Sequence, residues 1–184
     1  MLNAFSHPPF KGGLFVTKLI NPLKNTFNSW YDKKMRATSE LAEETDLIES
    51  YLDNIKTIAI VGISRNRHKD SHYVGRYLQK AGYTIYPVNP GADEILGVKS
   101  YPDLKSIPGK VDAVDIFIKP EAVPEVVNQA LEVNPKVIWL QLGVGSHPNE
   151  IEKAKQKGVT MVQNRCMKVD HQFLIRDRDE SNKN

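Results

Sequence analysis

Five short apolar runs, separated by segments of helical spacing, constrain this chain more than any other feature. They read "KTIAIVGIS" (56–64), "YTIYPVNP" (83–90), "AVDIFIKP" (113–120), "KVIWLQLGVG" (136–145) and "GVTMVQNRCMKV" (158–169). Continuous apolar runs this short suit strands buried on both faces. Between them, Ser71 opens "SHYVGRYLQKAG", where Val74, Tyr77, Leu78 and Ala81 share a face and Gly82 stops the helix. Pro120 or Glu121 begins "EAVPEVVNQALEV", and Pro148 to Lys157 reads as a further helix. Ahead of the first run, Thr38–Ser39 can cap a helix that carries Leu41, Leu47, Ile48, Tyr51 and Leu52 and stops at Asn54. Strands alternating with helices across short connections predict an α/β fold: a Rossmann-like, doubly wound parallel sheet of about five strands in a single domain. Right-handed crossovers leave few topologies, and the order 3-2-1-4-5 is the one expected.

With 184 residues the chain can bury a real core without staples. Cys166 is the lone cysteine, which excludes an intramolecular disulfide and any zinc site built on several cysteines. It suits a reducing compartment, and a cytoplasmic location is expected. No apolar run approaches the roughly 18 residues of a membrane span. The formal charge of +3 is unevenly spread. Residues 1–40 hold six bases against two acids, and the remainder nineteen against twenty. The basic character therefore belongs to the first residues and gives no argument that the body binds nucleic acid.

The organisation expected is a flexible basic leader or upstream extension (1–37), a nucleotide-binding domain (38–174) and a polar tail (175–184). The leader mixes Pro8–Pro9, Gly12–Gly13 and Asn21–Pro22 with scattered apolar residues and shows no sustained helical period. It is compatible with an organelle transit peptide, although arginine is absent before Arg36 and serine is sparse; a secretory signal fits less well; upstream sequence ahead of a start at Met35 fits as well.

In sheets of this class ligands bind beyond the carboxyl ends of the strands, where strand order reverses. After the first run stands "GISRNRHKDSHYVG". Gly62 permits a tight turn and Ser64 offers a hydroxyl and an amide. Arg65, Arg67, His68 and Lys69 place positive charge just before a helix N-terminus whose free N–H groups favour an anion. A solvated basic loop is the alternative; the position after the first strand favours phosphate. The G-x-G-x-x-G fingerprint is missing, since no glycine separates Gly62 from Gly75. The acidic ribose ligand of NAD sites is missing too, because the second run ends Pro87-Val88-Asn89-Pro90 with no carboxylate before Asp93. NAD is disfavoured and NADP stays open.

The motifs "IAIVGIS", "SHYVGRYLQKAGYTIYPVNP", "DEILGVKSYPDL", "VDAVDIFIKPEAVPEVV", "VIWLQLGV" and "NRCMKV" occur in an order that resembles the small stand-alone CoA-binding protein family. That family is related to the N-terminal CoA-binding domain of succinyl-CoA synthetase alpha chains and ADP-forming acyl-CoA synthetases. The resemblance runs from about residue 41 to 174. It implies coenzyme A, or an acyl-CoA, held across the carboxyl ends of the strands. Gly62, Ile63, Ser64, Arg65 and Ser71 would surround the phosphates, and Val88, Asn89 and Pro90 would meet the adenosine. Ile118, Lys119 and Pro120 would line the pantetheine path, with Gln141 and Gly143 at the far wall. One departure stands out: Lys69-Asp70-Ser71-His72 replaces the Arg-Pro-Ser run frequent in the family. The synthetases' phosphohistidine domain has no counterpart in this sequence.

Catalytic candidates are few. Cys166 follows a cation, Arg165, which can lower a thiol pKa, yet its apolar-alternating surroundings suggest a buried structural residue. A disulfide exchange with the thiol of CoA is the reactive alternative. His68, His72 and His147 lack metal-ligand spacing, so no metal is expected. Asp112 and Asp115 do not share a strand face, which argues against a paired-carboxylate hydrolase. Lys119 can act as a general base, though a phosphate or carbonyl contact is simpler, and Trp139 reads as core. The expected function is CoA binding without catalytic apparatus, as a sensor or accessory subunit. An NADP-type oxidoreductase or a CoA-transferring enzyme is the alternative.

Overall fold

A computed structural model describes residues 22–182, with side chains from residue 37 onward. The chain divides into two compact units, Met1–Ala42 and Glu43–Asn184. Residues 1–21 lie outside the described residues, and with them most of the expected leader. The helix expected to start at Thr38–Ser39 instead begins earlier: α1 runs Pro22–Asn54. Proline is tolerated at a first helical position because its missing N–H would be unpaired there anyway. Residues 22–37, expected within the leader, are thus helical without a sustained apolar period in their sequence.

The second unit is built on β1 (Thr57–Val61), β2 (Thr84–Val88), β5 (Ala113–Ile116), β6 (Val137–Leu140) and β7 (Thr160–Gln163), all parallel. A two-stranded antiparallel hairpin, β3 (Glu94–Ile95) and β4 (Val98–Lys99), follows β2 and was not foreseen. The helices are α2 (Asp70–Lys80), α3 (Val123–Glu132), α4 (Pro148–Gln156), α5 (Met167–His171) and α6 (Asp177–Ser181). A 3-10 turn (Pro120–Ala122) leads into α3, and a π-helical turn (Gln172–Arg176) joins α5 to α6.

The sheet order is β2-β1-β5-β6-β7. The five-stranded parallel sheet is as expected, but its order is not. The run at 113–116 lies beside β1 rather than outside β2. Among the described residues the outer edge of β2 is met by a one-residue parallel bridge, Val88 to Tyr101. There Tyr101 N donates to Pro87 O (2.8 Å) and Asn89 N to Tyr101 O (2.9 Å). Order still reverses between β1 and β5, so the switch point survives the correction.

Alternation along the strands supplies two cores. Ala59, Val61, Val114, Ile116, Ile138 and Leu140 face α3 and α4 through Val127, Ala130 and Ala154. Ile58, Ile60, Val137, Trp139 and Val162 face Ile48 and Leu52 of α1, Val74 and Leu78 of α2, and Met167. Trp139 is fully buried, as expected, and its Nε1–H donates to Arg165 O (2.9 Å).

The fifth run is strand only to Gln163; Asn164 turns with φ +52° and α5 starts at Met167. Cys166 thus stands at the N-cap of α5, half-buried, and not in an alternating strand. The polar tail expected at 175–184 is helical through Ser181, with Arg178 paired to Glu49 (2.7 Å) and Asp53 (2.7 Å) of α1. Among the described residues no helix is long and apolar enough to cross a membrane.

Candidate functional site

The switch point is built around Gly62. Its φ of +81° belongs to the left-handed region, and a Cβ there would lie 2.4 Å from Phe117 O. Its amide donates to Val88 O (3.1 Å), while Phe117 N donates to Val61 O (2.9 Å). The chain leaving β1 therefore passes between the ends of β2 and β5 with room for hydrogen only.

Beyond Gly62 the loop is held by its own polar groups. Ser64 N donates to Ser71 Oγ (3.1 Å), and Asn66 N to Ser64 Oγ (3.1 Å). His68 N donates to Asn66 Oδ1 (3.0 Å). The His72 ring nitrogen Nδ1 meets Ser64 O at 2.8 Å. Asn89 reaches across from the end of β2, its Nδ2 donating to Ile63 O (2.8 Å). Lys69 occupies the N-cap of α2 without a side-chain cap; the amides of His72 and Tyr73 donate to its carbonyl (3.0 and 3.1 Å), which leaves those of Asp70 and Ser71 available to a ligand. Gly62, Ser64, Lys69, Asp70, Ser71 and Phe117 enclose a cleft of about 330 Å³.

Four of the residues singled out in the sequence, Gly62, Ser64, Lys69 and Ser71, thus share one cleft. Arg65 lies outside it, in an adjoining groove with Arg67 and Arg76. The side chains of Ile63 and Val88 belong to the core, leaving only their backbone for a ligand. Asn89 and Ile118 are half-buried, while Pro90, Lys119 and Pro120 are exposed. Ile118 Cγ2 comes within 3.0 Å of the excluded Gly62 Cβ position, so the loop after β5 borders the cleft. Gly143 is exposed at φ +82° with open space around it.

Gln141 is buried, and its amide is spent: Nε2 donates to both carboxylate oxygens of Asp115 (2.9 and 3.1 Å). Asp115 itself is fully buried in β5. Burial drives its pKa up to about 7, against the Gln141 and Ile116 hydrogen bonds that favour the anion. In the sequence Asp115 stands out only as half of a carboxylate pair with Asp112. Phe117 and Asp70 were also missed, although both immediately adjoin residues that were named.

Cys166 and His147 are tied up by their surroundings. Burial raises the Cys166 thiol pKa, outweighing the amides of Val169 and Lys168. The expected help from Arg165 is withdrawn, because that guanidinium is bidentate on Asp170 (2.8 and 3.0 Å). His147 Nε2 lies 3.1 Å from Val144 O. His171, not considered from the sequence, is buried between Tyr77 and Tyr83, and burial lowers its pKa. Among the described residues no three His, Cys, Asp or Glu side chains gather in reach of one metal ion.

Comparison with known proteins points to a family. The profile of a family described as CoA binding domain matches residues 56–172. Uncharacterized protein YneT of Bacillus subtilis (strain 168) is 40% identical over 124 residues, which span 67% of this chain and 91% of that one. A hypothetical protein from Pyrococcus horikoshii OT3, whose structure is solved, is 39% identical with a TM-score of 0.68, covering 71% of this chain and 92% of its own. The ADP-forming acetate–CoA ligase II subunit alpha of Pyrococcus furiosus is 29% identical over 121 residues. This chain spans only 26% of that subunit.

Proposed function

The chain belongs to the CoA-binding domain family, and from that premise we propose that it binds coenzyme A or an acyl-CoA across the carboxyl ends of β1, β2 and β5. The observation that carries the reading is the cleft at Gly62, where a backbone that admits no Cβ faces the uncapped start of α2. Such a corner accepts a pyrophosphate: amides and the helix dipole meet its charge, and the missing side chain lets the phosphates approach the backbone. Gly62, Ile63, Ser64 and Ser71 then hold the phosphates, with Arg65 at their edge. Val88, Asn89 and Pro90 meet the adenosine. Ile118, Lys119 and Pro120 guide the pantetheine arm, and Gln141 and Gly143 bound its far side, Gln141 through its backbone because its amide serves Asp115.

We further propose that residues 38–174 act in the cytoplasm as a binding module without chemistry of their own, a sensor or accessory subunit. A thiol pushed toward its neutral form, histidines on backbone carbonyls and a sealed carboxyl group support that view.

Calorimetry on the full chain with CoA, acetyl-CoA and NADPH tests both statements. CoA and acetyl-CoA are expected to bind and NADPH to give no heat. Binding of NADPH alone would turn the reading toward an oxidoreductase. Turnover of an acyl-CoA by the isolated chain would overturn the non-catalytic role.

A further inference from the structure

Beside the cleft lies a second concavity, a groove of about 540 Å³ between α2 and the β3–β4 hairpin. Four cations border it, Arg65, Arg67, Arg76 and Lys80, against one carboxylate, Glu94. Among the described residues none of the four makes an ion pair, although Arg76 lies over the Tyr73 ring. The arginines elsewhere in this unit behave otherwise: Arg165 pairs with Asp170, Arg176 with Asp177, and Arg178 with Glu49 and Asp53. Exposed guanidiniums converging on a concave surface without acidic partners mark a place where an anion is stabilised on arrival.

The opposite wall is held at some cost. Leu96 and Gly97 form the two-residue tip of the hairpin with φ of +60° and +75°. A leucine in the left-handed region is strained, because its Cβ crowds the backbone there. Packing and a hydrogen bond keep it there. Leu96 Cδ1 sits 3.1 Å from where a Cβ on Gly75 of α2 would stand, and Gln79 Nε2 donates to Leu96 O (3.2 Å). The groove's width is thus fixed by contacts between its two walls, as expected of strain retained at a functional place.

Groove and cleft adjoin through the chain itself. Ser64 and Ser71 line the cleft, and their neighbours Arg65 and His72 line the groove. We propose that the groove is a second phosphate site, which receives the phosphomonoester on the ribose of coenzyme A while the pyrophosphate occupies the cleft. The inference rests on the CoA reading above and deepens it. The two sites differ as their occupants do. Each pyrophosphate phosphorus carries about one charge and is served by amides, whereas a phosphomonoester approaches two near neutral pH and calls for guanidiniums. Glu94 leaves the balance positive.

The test titrates CoA and 3′-dephospho-CoA into the full chain, the Arg67→Gln/Arg76→Gln variant and a charge-matched Lys155→Gln/Lys157→Gln control on the distant α4 segment. Wild type and control should prefer CoA by roughly 10- to 100-fold, the range of charge-assisted contacts. The arginine variant should lose most of that preference while binding 3′-dephospho-CoA as wild type does. A preference that survives in the arginine variant would overturn the proposal and assign the groove to some other anion. Equal weakening of both ligands, in variant and control alike, would reduce the arginines to general steering and overturn it too. Wild type that binds neither ligand would instead overturn the CoA reading itself.

Discussion

The two ends of the sheet treat their charges in opposite ways. At the amino end nearly every polar group is spent on the fold. Asp112, at the start of β5, accepts from the amides of Lys56 (2.9 Å) and Thr57 (3.3 Å) and pairs with Lys136 (3.3 Å). Burial pushes its pKa up, but the Lys56 amide and Lys136 outweigh that and hold it below the usual carboxylate value. Lys136 Nζ also donates to Asn54 O (2.7 Å), and Tyr83 Oη to Leu52 O (2.7 Å), so α1, β1, β2 and β6 are laced together. At the carboxyl end Arg65, Arg67 and Lys69 stand exposed and make no ion pair among the described residues, while Gly62 gives up its side chain for closeness. Charge paired internally contributes to stability; charge left unpaired around a concavity contributes to binding. The amino end keeps the fold, and at the carboxyl end the loop after β1 is held ready for a ligand while Arg165 after β7 is spent on Asp170.

The largest break in that contrast should come from Asp112→Ala. Removing it strands the amides of Lys56 and Thr57 at a nearly buried position, while the Lys136 ammonium group is exposed enough to rehydrate, and urea unfolding should show a loss of about 2–4 kcal/mol. CoA affinity of the folded fraction should not change, and a parallel loss of affinity would refute the division of labour.

A second effect is sharper in pH than in size. Asp115 has a folded pKa of about 7, above its ordinary value near 4. Between those values the folded chain keeps a proton that the unfolded chain has released, so stability falls as pH rises from about 4 to about 7 and levels off above. The fall is at most about 4 kcal/mol, and Asp115→Asn should flatten it in denaturation curves taken across that range. His171 works in the opposite sense, its lowered pKa costing stability as pH drops below about 6.5. With Asp115 replaced, the remaining slope there should be positive; an unchanged negative slope would mean that Asp115 is ionised in its buried site.

The smallest effects form a pair. Arg65→Ala should weaken CoA by about 1–3 kcal/mol while leaving the unfolding midpoint alone. Arg178→Ala should do the reverse, lowering the midpoint slightly and leaving calorimetric affinity intact. If each variant moved both quantities, the two ends would not be independent.

Much of the fold was legible because its signals are local. Every long run in the sequence is a strand, and Gly62 was named for the turn it makes, since apolar continuity and a missing Cβ act within a few residues. Boundaries erred where tertiary contacts override pattern. The apolar alternation past Gln163 looks like strand, yet Asn164 turns the chain and Met167 enters the core as the first residue of a helix. The hairpin at 94–99 was hidden because a leucine stands at its tip where asparagine or glycine would announce the turn. Within the candidate site, the serines and the glycine were readable from their place after the first strand. Phe117 was not, because it lines the cleft only through the pairing of β5 with β1.

The sequence by itself determined which segments pair as strands, where the chain must turn without a side chain, and the family to which the chain belongs. All of these depend on neighbours in the chain or on the order of motifs. Only the tertiary structure decided the strand order, the burial of Asp115 against Gln141, and the separation of a neutral cleft from a cationic groove. Those features join residues from different elements, and no periodicity along the chain records a distance between side chains that meet only when the sheet is assembled.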